Sequence, residues 1–289
     1  MRFLFVWYRT QCIFIRWGDC ISSGFTVCNG VKQGGVLSPK LFNVYVDHLS
    51  VRLTNSFTGC YVGGCFINHL MYADDICLLS PSVKGTQKLV NICSNYGDIY
   101  DITFNTKKTE CLCVTSDKPS TVNLPTVYLN RVNLVFVESK KYLGYILTNH
   151  FRDDADIERQ KRSFYVSANM LLRKFSSCSF DVKCMVFKIY CHQLYGAHLW
   201  FNHTASALRK LKVAYNNAAR IFLGFDKRCS ASAMFVTNNL YNFDALRRKQ
   251  MYSFMSRLSR SVNMIVRLVY DRLYFISDVF KLWIDSLYL

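Results

Sequence analysis

Two adjacent carboxylates interrupt an apolar stretch: His69-Leu70-Met71-Tyr72-Ala73-Asp74-Asp75-Ile76-Cys77-Leu78-Leu79. Apolar segments this short read as strands, so the pattern predicts strand, tight turn, strand, with Asp74 and Asp75 at the turn. Burying one carboxylate is costly, and a like-charged neighbour adds repulsion. A divalent cation removes both penalties. A turn that stays in water avoids them too, and the pair alone does not choose between the two.

The flanking patterns fix the fold class. Runs around Gly18-Asp19 between Gln11 and Cys28 predict a hairpin. Gly30-Val31-Lys32-Gln33-Gly34-Gly35 supplies a backbone able to lie close to a ligand, and Ser38-Pro39 opens a helix with Ser as cap and Pro in its first turn. Phe42, Tyr45, Val46, Leu49 and Leu53 share one helical face, and Leu89, Ile92, Cys93 and Tyr96 mark a second helix over 86–99. Strand-like runs follow at 111–114, 127–136 and 140–147, with a polar loop over 115–126. Beyond 152 the strand patterns stop, and helical spacing recurs at 153–175, 181–201, 205–223 and 243–260. The acidic Asp153-Asp154-Ala155-Asp156 suits a helix start. The expected architecture is α+β: residues 1–150 as a sheet with packed helices, residues 151–289 as an all-helical part.

Net charge is +17, with 14 Lys/Arg against 9 Asp/Glu over residues 1–150 and 22 against 10 over residues 151–289. Arg209, Lys210, Lys212, Arg220, Arg247, Arg248, Lys249, Arg257 and Arg260 fall on predicted outer helix faces. Such an excess favours a polyanionic partner, foremost a nucleic acid. A solvated basic surface or an anionic membrane surface fits the charge alone equally well. No apolar run is long enough to span a membrane, and the N-terminal Phe3–Tyr8 run is too short for a signal-peptide core. The thirteen scattered cysteines contain no Cys-x-x-Cys pair. They read as reduced thiols of an intracellular protein, nuclear or cytoplasmic.

Four features stand in order: the Gln-Gly-Gly loop with its helix, Tyr72-Ala73-Asp74-Asp75, Asn105-Thr106-Lys107-Lys108-Thr109, and Lys141-Tyr142-Leu143-Gly144. In this order and spacing they resemble the palm of a reverse transcriptase of the non-LTR (LINE-like) retrotransposons. Tyr195-Gly196-Ala197-His198-Leu199-Trp200 and Tyr215-Asn216-Asn217-Ala218-Ala219-Arg220 extend the resemblance through the helical half. It implies a partial polymerase palm over 1–150 and a helical thumb with its extension over 151–289. It also implies RNA-directed DNA polymerase chemistry, with two Mg²⁺ ions, an RNA template, a DNA primer and a dNTP. Asp74 would be a direct metal ligand and Asp75 a weaker one. Tyr72 would lie near the primer terminus, Gln33 and Gly34 against the incoming nucleotide and template, Lys108 near the triphosphate, and Lys141 on the primer backbone. An ordinary surface lysine fits Lys108 as well, and strand core fits Tyr142 and Leu143.

The family carries a further metal-binding aspartate on a strand upstream of the Gln-Gly-Gly loop. Only 32 residues precede Gln33 here, and neither Asp19 nor Asp47 takes that position by order. The expectation is that this chain alone shows no polymerase activity. The alternative reading is a non-catalytic basic remnant that binds nucleic acid.

Overall fold

The computed structural model describes residues 2–27, 30–114 and 124–275. It is α+β, with helices and small sheets. Cys28, Asn29 and most of the polar 115–126 stretch lie outside the described residues.

Helix α1 (Arg2–Arg9) precedes four short strands, β1 (Cys12–Ile13), β2 (Arg16–Trp17), β3 (Cys20–Ile21) and β4 (Phe25–Thr26). They form the expected hairpin in two pieces: β2 pairs β3 across Gly18-Asp19, and β1 pairs β4 behind them. Helix α2 (Ser38–Thr54) follows, then β5 (Cys60–Val62), β6 (Cys65–Ile67), β7 (His69–Tyr72), β8 (Asp75–Leu78) and α3 (Val83–Tyr100). Val46, Leu49 and Leu53 of α2 and Leu89, Cys93 and Tyr96 of α3 are buried, as their spacing predicted; Ile92 is only half-buried, and Val90 is buried in addition. Tyr45 instead stays exposed. The Tyr96 hydroxyl donates to the Tyr45 carbonyl at 2.6 Å, and Arg52 lies over the Tyr96 ring at 5.5 Å. Those contacts fasten α2 to α3.

The strands β9 (Glu110–Leu112), β10 (Val127–Leu129) and β11 (Val132–Val137) make a mixed sheet, with β11 antiparallel to β10 and parallel to β9. Among the described residues, the strands β12 (Ser139–Tyr142) and β13 (Tyr145–Thr148) pair only with each other. Each of the two sequence runs, 127–136 and 140–147, therefore folds into a hairpin. The reason lies in the backbone. Asn130 and Arg131 have φ of 50° and 64°, and Leu143 and Gly144 have φ of 46° and 84°. Positive φ at both central residues is the signature of the type I′ turn, whose twist matches that of paired strands.

After β13 the chain is helical: α4 (Asp154–Phe175), α5 (Phe180–Cys191), a 3₁₀ turn (Ala197–Leu199), α6 (Ala205–Leu223), α7 (Ala231–Thr237), α8 (Phe243–Ser259) and α9 (Met264–Phe275). Their common core includes Trp200, Tyr215, Phe187, Phe235, Phe243 and Leu171. Each such side chain contributes about 1.5–3 kcal/mol when fully buried. The helix expected over 181–201 stops at Cys191, because Gly196 takes φ +85° and the following residues bond to α4. Arg247 was placed on an outer face by spacing. It is turned inward, and burial lowers its pKa. The twelve described cysteines are unbridged. Among the described residues no helix is long and apolar enough to cross a membrane.

The strand-to-helix change falls between Thr148 and Asp154. The compact units part earlier: Met1–Tyr61 with Phe66–Thr103 form one, and Val62–Cys65 with Phe104–Leu289 the other.

Candidate active site

The Gln-Gly segment is a built turn. The Gly35 N–H donates to the Lys32 carbonyl at 3.0 Å, and Gly34 has φ +80°. This is a type II turn with Gln33 and Gly34 at its centre, and its third position requires glycine. Ser38 does not cap α2. Its hydroxyl donates to the Lys32 carbonyl at 2.6 Å, and the residue is buried. The helix cap expected of Ser38 is thus replaced by a clamp that closes the turn against the start of α2. Both Gln33 and Gly34 are exposed, and a Cβ at Gly34 would meet open space.

The Asp-Asp segment forms the expected strand–turn–strand, but the turn lies one residue earlier than expected. Tyr72 pairs with Asp75, Met71 with Ile76, and Leu70 with Cys77. Ala73 and Asp74 form the turn, and of the two only Ala73 has positive φ, at 51°. Asp75 opens β8, so the neighbouring carboxylates leave the backbone in different directions. Tyr72, Asp74 and Asp75 are all exposed.

The base of this hairpin carries a polar network that spacing did not reveal. The His69 ring bonds through Nε2 to the Ser50 hydroxyl at 2.8 Å and through Nδ1 to the Asn68 side-chain oxygen at 2.7 Å. Asn68 is buried, and its amide donates to the carbonyls of Leu53 at 2.6 Å and Thr58 at 3.0 Å. Burial lowers the His69 pKa, which favours the neutral ring. Gly59 leaves room here: a Cβ on it would collide with the Asn68 side chain and lie 2.8 Å from the Ile67 carbonyl. Helix α2 thus begins at the Gln33-Gly34 turn and, in its last turns, holds the root of the Asp74-Asp75 hairpin. Buried polar residues beside an apolar run were the available signal.

Lys108 and Lys141 belong to the second unit. Asn105 shapes the first segment: its side-chain oxygen accepts the N–H groups of Lys107 and Lys108, each at 3.1 Å. Lys108 is exposed. Lys140 reaches this segment, donating to the Lys108 carbonyl at 2.9 Å and pairing with Glu110 at 2.6 Å. Lys141 sits opposite Ile146 in the β12–β13 register and is exposed. Leu143 is exposed as well, so strand core does not describe it.

The β12–β13 hairpin is fastened to the helices through the acidic start of α4. Asp156 is fully buried and accepts from the Ile146 N–H at 3.1 Å, the Trp200 indole at 2.9 Å and Arg159 Nε at 2.6 Å. Asp153 accepts from the Tyr145 hydroxyl at 2.5 Å and the Asn202 N–H at 2.6 Å. Burial, then this bond to Asp153, pushes the Tyr145 phenol well above its ordinary pKa. Asp154 accepts from the Thr204 N–H at 2.9 Å and from its hydroxyl at 2.5 Å. Burial alone would raise the Asp154 pKa, but the bonds from Thr204 and Arg152 bring it below its ordinary value. The acids read as dipole partners are chiefly hydrogen-bond acceptors for distant segments.

Oxygen donors suit Mg²⁺, which commonly takes one or two protein carboxylates and completes its shell with water and phosphate oxygens. Asp74 and Asp75, adjacent and exposed, fit that role. Among the described residues no group of three or more His, Cys, Asp or Glu side chains gathers as a metal cage.

Residues 4–147 match the family described as reverse transcriptase (RNA-dependent DNA polymerase). That segment, which belongs to the reverse-transcriptase family, contains the Gln33-Gly34 turn, the Asp74-Asp75 hairpin, Lys108 and Lys141. Its curated relatives are polymerases of non-LTR retrotransposons. A probable RNA-directed DNA polymerase from the transposon X-element of Drosophila melanogaster is 25% identical over 221 residues, covering 73% of this chain and 23% of the relative. The RNA-directed DNA polymerase from the mobile element jockey of Drosophila funebris is 27% identical over 203 residues, 61% of this chain and 20% of the relative. A Pol polyprotein from the type-2 retrotransposable element R2DM of Drosophila melanogaster is 36% identical over 87 residues, 30% of this chain and 8% of the relative. The chain therefore spans less than a quarter of the length of these relatives.

Proposed function

We propose that the chain is the catalytic-hairpin and primer-handling portion of a retrotransposon RNA-directed DNA polymerase. Residues 1–150 would be palm and residues 151–289 thumb and extension. The observation that carries this reading is the exposed Tyr72-Ala73-Asp74-Asp75 turn, rooted in the helix that starts at the Gln33-Gly34 turn.

Asp74 would hold Mg²⁺ directly and Asp75 would support it; a bound ion would offset the negative charge that develops during nucleotidyl transfer. Tyr72 lies opposite Asp75 in the register and offers its ring to the primer terminus. The Gln33 side chain and the open Gly34 backbone face the incoming nucleotide and the templating base. Lys108, exposed on the turn that Asn105 shapes, neutralises the triphosphate and can return a proton to the departing pyrophosphate. Lys141 contacts a primer phosphate. The basic excess beyond residue 150 follows the duplex backbone, and binding would weaken steeply with salt.

Primer extension on an RNA template tests the assignment. The chain by itself is the baseline of that assay. Joined to the upstream polymerase segment of the X-element relative, it is expected to extend the primer, and Asp74→Ala to abolish extension. Undiminished extension by the Asp74→Ala chimera sinks the assignment.

A further inference from the structure

The tip of the β12–β13 hairpin is strained. Leu143 has φ +46°, a conformation that costs a branched side chain more than glycine, and Gly144 follows at φ +84°. Such a backbone persists where neighbours over-determine it. Tyr195 is that neighbour. Its hydroxyl donates to the Leu143 carbonyl at 2.6 Å, and its ring lies so close that a Cβ on Gly144 would meet it at 3.0 Å.

Tyr195 is itself held. Arg159 donates to its carbonyl at 3.3 Å and lies 5.9 Å from its ring centroid, while pairing with buried Asp156. The strand leaving the turn is fixed by the same group: Tyr145 bonds to Asp153 and the Ile146 N–H to Asp156. Ile146 is the register partner of Lys141. Strand alternation separates the two lysines. Lys140 is occupied by Glu110 and the Lys108 carbonyl, whereas exposed Lys141 makes no ion pair among the described residues.

We infer that Tyr195 is a positioning residue for Lys141: by holding the Leu143-Gly144 turn it fixes the register that presents the Lys141 ammonium to a phosphate of the bound strand. The inference rests on the reading of Lys141 as a primer contact. Tyr195 acts only through the hairpin and touches no substrate.

Fluorescence anisotropy of a labelled RNA–DNA hybrid, titrated with the full chain over a range of salt, tests it. Lys141→Ala is expected to weaken binding several-fold and to reduce the log–log salt slope by about one, as loss of one phosphate contact does. Tyr195→Phe, which removes only the hydroxyl, is expected to do the same in both readouts while circular dichroism and the melting curve stay near those of the parent. In the double variant the two losses should not add, because Tyr195 would have no lysine left to position. Additive losses, or a Tyr195→Phe salt slope equal to the parent's, overturn the positioning role. A Lys141→Ala variant that binds as the parent does overturns the primer-contact reading itself.

Discussion

The Trp200 indole N–H donates to Oδ2 of Asp156 at 2.9 Å, inside the protein, where neither side chain meets solvent. Asp156 also takes a strand N–H and an arginine, so one carboxylate joins β13, α4 and the loop after α5. Removing it leaves Arg159 and two N–H donors without their acceptor. Breaking a buried pair in this way costs about 3–5 kcal/mol. Asp156→Ala should therefore lower the melting temperature by roughly 10 °C, read by differential scanning calorimetry, and Trp200→Phe by less. A melting curve unchanged by Asp156→Ala would remove this carboxylate from its central place.

Stability should fall on mild acidification. His192 is packed among Phe187, Tyr215 and Tyr241, and burial, then Lys188 and Lys249, lower its pKa from 6.5 to about 4. His198 and His203 are lowered too, chiefly by burial. Between those two pH values the unfolded chain binds the proton that the folded chain refuses, so unfolding gains. The contribution is complete above about pH 6.5 and erodes towards pH 4. Thermal midpoints measured across this window should drop for the parent and drop less for His192→Phe. Equal pH dependence in the two proteins would contradict the assignment.

Two glycines answer to different constraints. Gly34→Ala meets no neighbour but keeps a positive φ, so the cost should be about 1–2 kcal/mol and confined to its turn. Gly59→Ala drives a methyl group into Asn68 and the Ile67 carbonyl at the root of the Asp74-Asp75 hairpin. Urea denaturation should show the larger loss for Gly59→Ala. Hydrogen exchange should show faster opening of the Leu79 amide, which donates to the Asn68 carbonyl at 2.8 Å. Equal losses for the two variants would mean that hairpin root and turn are not distinguished by packing.

Asp74→Asn and Asp75→Asn should leave stability within about 0.5 kcal/mol, as exposed substitutions usually do. Isothermal titration with Mg²⁺ in the presence of a dNTP should show weaker binding for both, more so for Asp74→Asn. A large stability change, or unaltered Mg²⁺ binding, would separate the pair from metal chemistry.

What could be read from the chain followed from periodicity and turn chemistry. The faces of α2, α3 and α4 and the hairpin around Asp74-Asp75 are visible because apolar spacing and two adjacent charges report local geometry, although the turn itself is Ala73-Asp74. Ser38 misled, because its hydroxyl prefers the Lys32 carbonyl to a helix N–H, a choice set by the glycines before it. The acids at 153–156 misled for another reason. Their acceptor roles toward Tyr145, Ile146, Trp200 and Thr204 join residues up to 50 positions apart, which no local pattern encodes. The Asn68–His69–Ser50 network likewise needs a helix and a strand placed side by side before its donors and acceptors meet.

The turn at Leu143-Gly144 also sets a timetable. Hairpins with two-residue turns close in microseconds when their backbone is at ease. This one contains a leucine in a left-handed conformation, and the hydroxyl that steadies it comes from a residue 52 positions later. Until α4 and α5 have formed and delivered Tyr195, the β12–β13 pairing stands without that support. An element closed by neighbours in sequence thus depends on the helical half of the chain for the support of its tip.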